Sequence, residues 1–215
     1  NCVFVDNMLT APDVSASHGG AISAGGSPHL IDCTFINNGF GAVVLGGNPT
    51  LTRCTFRNNP QRAISFHASS PTLTDCLFED NACEDDDGGA VILTPLDWVL
   101  HPTFTRCTFR RNRAGTMEDL RQGGAIHTAI FGSINLTLTK CTFEDNAAGD
   151  GGAIYNVGRT GVATGCRFAR NKAWSSGGAI SLFSDEARVE WSNFEDNRAS
   201  AGGALAMSWG GGKTI

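Results

Sequence analysis

Residues Pro49 to Asn81, PTLTRCTFRNNPQRAISFHASSPTLTDCLFEDN, carry one motif twice. Pro49-Thr50-Leu51-Thr52 returns as Pro71-Thr72-Leu73-Thr74, and Cys54-Thr55-Phe56 with Asn59 returns as Cys76-Leu77-Phe78 with Asn81. Cys54 and Phe56 are two apart, with a polar Thr between them, which is the alternation of a half-buried strand. Leu51 and Cys54 also read as inward-facing but are three apart, so the chain must bend between them. A third apolar piece, Arg62-Ala63-Ile64, lies between the two copies. Three short strands and three bends in about 22 residues make one coil of a solenoid.

The motif continues in both directions. Cys-x-Phe-x-x-Asn recurs at Cys2, Cys33, Cys107, Cys141 and Cys166, and an eighth copy at Phe194 and Asn197 has Ser192 in the cysteine position. Gly-Gly-Ala-Ile or a near variant alternates with it, starting at Gly19, Gly88, Gly123, Gly151, Gly177 and Gly202. Helical repeats need a 3.6-residue periodicity, which is absent, and leucine-rich repeats need several Leu per unit. Parallel strands joined by onward crossovers wind right-handed. The expected fold is therefore all-β: a right-handed parallel β-helix of about eight coils with three short strands per coil. No coil buries its apolar face alone, so stability must come from stacking. Residues 1–215 read as a single β-helix domain excerpted from a longer protein and lacking both caps, with flanking coils of the same polypeptide as its partners.

Stacking also predicts ladders. The cysteine column should hold buried free thiols that act as small hydrophobes, since in-register side chains point the same way and disfavour a disulfide dihedral. The Asn column should form an amide ladder, and the Gly-Gly pairs should serve a tight bend. Three outward columns alternate in charge: Asp80, Arg111, Asp145, Arg170, Asp196; Arg57, Glu79, Arg110, Glu144; and Asp32, Arg53, Asp75, Arg106. Alternation fixes which coil stacks on which, and at surface-pair strength. Cys83 lies outside the thiol column, without an obvious partner.

The net charge of −5 leaves no basic field for nucleic acid, and no apolar run is long enough for a transmembrane segment. Gly-Gly resembles a phosphate loop only superficially, because no lysine or helix follows.

Gly-Gly-Ala-Ile paired with Phe-x-x-Asn resembles the repeat of chlamydial polymorphic outer membrane proteins and of the wider set of bacterial right-handed β-helix repeat proteins. The similarity spans essentially the whole chain. It implies a surface-exposed, extracellular or outer-membrane-associated passenger with an adhesive role.

The expected function is a non-catalytic secreted or surface rod, structural or adhesive, whose loops offer a binding face to a surface protein or glycan. The alternative is a lyase, hydrolase or epimerase acting on uronate-containing glycans, which needs clustered carboxylates on one outer face. The outward positions after Gly-Gly-Ala (Ser23, Val44, Ser65, Ile92, His127, Tyr155, Ser181 and Ala206) include no acid. His127 beside Tyr155 is expected as an exposed surface pair able to contact a ligand. The dense acidic run Glu84, Asp85, Asp86 and Asp87 is the one candidate Ca²⁺ loop. Trp98 and Trp174, read as lying in inserted segments, are candidate partner contacts.

Overall fold

A computed structural model describes residues 1–9, 19–95, 99–129, 134–183 and 186–207, together with the backbone of 213–214. Three eight-stranded parallel sheets run its length. The phenylalanine sheet runs from Val3–Val5 to Asn193–Glu195, the isoleucine sheet from Ile22–Ala24 to Leu205–Met207, and the threonine sheet from His29–Ile31 to Lys213–Thr214. Every strand pairs with its counterpart one coil away. The register is set by the motif, so Phe4, Phe35, Phe56, Phe78, Phe109, Phe143, Phe168 and Phe194 form one unbroken file.

Four coils add a strand beyond the expected three. Ala82–Cys83, Arg113–Ala114, Ala147–Ala148 and Lys172–Ala173 make a short parallel sheet at the corner after Asn. Two residues show no readable alternation, which is why the sequence hides these strands.

The core is a set of columns. Successive rings of the Phe file lie 4.7–4.9 Å apart and within 8° of parallel, in the offset-stacking range. Beside them, the Asn column is completely bonded. Asn112 Nδ2 donates to the Phe78 carbonyl and to Asn146 Oδ1, while its Oδ1 accepts from the backbone N–H and Nδ2 of Asn81. The thiols of Cys33, Cys54, Cys76, Cys107, Cys141 and Cys166 are free and buried, and each donates to the carbonyl two residues earlier at 3.4–3.6 Å. Thiol–thiol hydrogen bonding couples the column: with burial it pushes Cys54, Cys107 and Cys166 upward, and it pulls Cys76 and Cys141 between them downward.

The Gly-Gly corner shows why both glycines are needed. Gly123 has φ +67, and a Cβ there would meet the Ile126 carbonyl oxygen at 2.3 Å. A Cβ on Gly124 would meet the Gly152 carbonyl oxygen of the next coil at 2.2 Å. The first glycine serves the turn within the coil and the second serves the approach between coils.

Candidate functional site

The outward column of the isoleucine sheet was the place to look for chemistry, and its surroundings differ from expectation. Val44, Ser65, His127, Tyr155 and Ser181 are buried although they point away from the core. His127 and Tyr155 are not an exposed pair: they are 3% and 7% exposed, with their rings stacked at 5.5 Å. The cause is the corner itself, which folds back over the strand. A Cβ on Gly88 would lie 3.2 Å from His127 Cβ, and one on Gly123 would lie 3.0 Å from His127 Cα. Phe183 closes the far side of Tyr155 at 5.3 Å.

Arg62 organises the near side. It stands at the second glycine of a degenerate Gly-Gly-Ala copy, at φ 87, and is 5% exposed. Its guanidinium donates to the carbonyls of Asp87 and Gly88, to Asp86 Oδ2 at 2.8 Å and to Ser65 Oγ. It also reaches the Cys83 sulfur at 3.5 Å, which gives that cysteine its partner. Asp87 accepts from the Gln122 backbone N–H at 2.7 Å, and its other oxygen lies 3.7 Å from His127 Nδ1. Sequence reasoning passed over Arg62 and Gln122 because neither belongs to a repeating column.

Burial governs the protonation here. It holds His127 below its usual range, against the pull of Asp87, so the imidazole is neutral. It pushes the Tyr155 hydroxyl and the Cys83 thiol upward. Burial also works to raise Asp86, but the charge and hydrogen bond of Arg62 outweigh it and hold the carboxyl below the ordinary range. The arrangement staples a loop to the rod: one Arg and two carboxylates are tied to each other or to backbone, and the His and Tyr lie beneath.

The acidic run does not converge on one point. Asp86 turns to Arg62 and Asp87 to Gln122, and among the described residues no group of three or more His, Cys, Asp or Glu is placed to hold a metal ion. Glu84 and Asp85 instead line a shallow groove with Met8, Phe40, Pro60 and Gln61. Trp174 follows the short corner strand Lys172–Ala173 directly. It is half-buried, with Lys172 Nζ 5.6 Å from its ring centre. Trp98 lies outside the described residues.

The three charge columns pair along the rod. Asp32 meets Arg53 at 2.6 Å, Asp75 meets Arg106 at 2.7 Å, Asp80 meets Arg111 at 2.7 Å and Asp145 meets Arg170 at 2.9 Å. Glu79, only 4% exposed, gathers Arg57, Arg110 and Arg111. Burial works to raise its carboxyl, but hydrogen bonds to Arg110 and Arg111 hold it below the ordinary range. Glu144 sits lower as well, through its hydrogen bond to Arg170 and a further one to Arg167.

Among the described residues no helix is long and apolar enough to cross a membrane. No curated protein and no solved structure matches the chain. A family model described as the right-handed beta helix region matches residues 1–159 and again 74–215, so the two matches overlap and together span the sequence. The chain belongs to the right-handed β-helix family.

Proposed function

We propose that this chain is a non-catalytic rod of a secreted or bacterial cell-surface protein, structural or adhesive, whose corner loops present a binding face to a surface protein or glycan. One observation carries the reading: the carboxylates that recur along the rod are bound to arginines of neighbouring coils, in pairs spread one coil after another. Hydrolysis or elimination at a glycan needs an acid, a base and a charge stabiliser converging on one bond. Paired carboxylates distributed along a rod serve stacking instead. The resemblance to the chlamydial polymorphic outer membrane repeat supports the surface setting and the adhesive role.

The buried group of Arg62, Asp86, Asp87, His127 and Tyr155 favours the second reading, an enzyme on uronate-containing glycans, because its residue types suit acid–base work. Incubation of the purified chain with polygalacturonate, alginate and neutral glycans, with and without Ca²⁺, separates the two. The rod reading expects no new reducing ends and no unsaturated products. Product release that is lost in Asp87→Asn with His127→Gln would establish the enzyme. Binding to host-cell or glycan surfaces that survives that double change would support the rod.

A further inference from the structure

The outer face of the threonine sheet differs from the rest of the surface. Its strands read Thr50-Leu51-Thr52, Thr72-Leu73-Thr74, Thr103-Phe104-Thr105 and Thr137-Leu138-Thr139, with each middle residue buried and each Thr facing out. The register sets Thr50, Thr72, Thr103 and Thr137 in one rank, and Thr52, Thr74, Thr105, Thr139 and Thr164 in a second. No charged side chain enters either rank across these coils. Among the described residues, Thr72, Thr74, Thr103, Thr105, Thr137 and Thr139 make no side-chain hydrogen bond within the protein, and all six are partly or fully exposed.

The array has two fixed repeats. Parallel strands set neighbours in a rank ~4.8 Å apart, and positions two along a strand are about 6.6 Å apart. Each Thr of one coil pairs in register with a Thr of the next, so the ranks run unbroken across four coils. Thr is β-branched, so its χ1 is restricted and the methyl and hydroxyl repeat with the backbone. Hydroxyls without protein partners are satisfied by water. Waters held at two fixed repeats on an uncharged face reproduce a patch of crystal lattice. Both repeats fall near those of the water oxygens on a prism face of hexagonal ice.

We propose that this threonine face binds ice. The chemistry favours ice over a crystalline glycan, because flat sugar surfaces are gripped by aromatic rings and neither rank contains one. The inference stands apart from the loop-binding reading, since the face and the corner loops are different surfaces.

The test is growth and recrystallisation of ice in the presence of the purified chain, compared with Thr74→Lys/Thr105→Lys and with Thr108→Lys, which sits on the outer face of the phenylalanine sheet. The expected result is that the wild-type chain shapes growing crystals and suppresses recrystallisation. The double variant should lose both effects while keeping its melting temperature, and Thr108→Lys should keep both effects. If the double variant unfolds, Thr105→Lys alone takes its place. Ice growth unchanged by the wild-type chain would overturn the proposal. So would equal loss in Thr108→Lys, or co-sedimentation with crystalline cellulose without any effect on ice.

Discussion

Besides the Gly-Gly corner, the coils pass through the left-handed region at two corners built mostly from non-glycine residues, and these two are held in different ways. The corner after the phenylalanine strand places Asp6, Asn37, Asn58, Asp80, Arg111, Asp145, Arg170 and Asp196 at φ 53–56. The corner before the cysteine places Asp32, Arg53, Asp75, Arg106, Lys140 and Trp191 at φ 52–56, with Gly165 at φ 64. Left-handed backbone costs an L-residue about 1–2 kcal/mol, so each corner needs compensation. Behind the first corner lies the bonded amide ladder, and all eight copies keep its Asn. Behind the second lies the thiol column, whose sulfur donors are weak. That corner admits Ser192 for Cys, Gly165 for a charged residue, and a Trp191 that is 90% exposed. A buried polar ladder tolerates little change in its members, whereas a column of small buried groups sets mainly a volume.

The largest expected effect tests this contrast at the amide ladder. Asn112→Leu removes the acceptor for the Asn81 backbone N–H and Nδ2 and the donor to the Phe78 carbonyl, all of them buried. Each buried group left unbonded costs about 1–3 kcal/mol, so chemical denaturation should show a loss on the order of 4 kcal/mol or more. A loss below that of a typical surface substitution would remove the distinction between the corners.

The equivalent change at the second corner should be mild. Cys107→Ser keeps the volume and supplies a better donor to the Thr105 carbonyl, as Ser192 does towards Glu190. The expected destabilisation is about 1 kcal/mol or less. Thiol titration sharpens the point. Only Cys2 is exposed, so the native chain should titrate one thiol and the denatured chain all eight without reductant.

Acid should act on the two kinds of buried charge in separate windows. Glu79 and Glu144 are held below the ordinary glutamate value of 4.5, so they bind protons more readily when unfolded. Their stabilisation is complete above that value and is lost as pH falls below it towards the depressed native values. His127 is also lowered, from 6.5, but it is neutral when native. Its protonation favours the unfolded chain, so stability begins to fall as pH drops below about 6.5. Melting temperature against pH should therefore decline in two steps. His127→Gln should remove the upper step and Glu79→Gln the lower one. A single decline unaffected by His127→Gln would mean that the imidazole is not buried as described.

Much of the fold was legible in the sequence, because a repeat supplies eight readings of each position. Cys, Phe and Asn recur at fixed spacing, and the register follows once coils stack. The charge columns were readable for the same reason. Arg62 replaces the second glycine in only one coil, so no column revealed that its guanidinium fastens loop 84–88. The burial of His127 and Tyr155 was hidden because alternation assigns a side to a residue but not what lies beyond it. The Gly88 corner of the preceding coil lies over His127 and Phe183 lies against Tyr155, and neither contact is local in sequence.

The smallest expected effect is at Arg53, where two terms of opposite sign meet. Arg53→Gly removes the pair with Asp32, whose partners are both well exposed, at 54% and 36% of their side-chain surface. Exposed pairs contribute little and weaken with salt. Glycine at φ 52 also relieves a left-handed strain of about 1–2 kcal/mol, although it adds freedom to the unfolded chain that returns roughly 0.5–1 kcal/mol of this. The sum lies near zero, and Gly165 already occupies the equivalent place four coils on. Denaturation midpoints of Arg53→Gly and wild type should agree closely at low salt. At high salt, where the ion pair is screened in the wild type, the variant should be the more stable of the two. A clear loss that persists at high salt would mean that the arginine's contribution is packing of its stem on the column, not its charge.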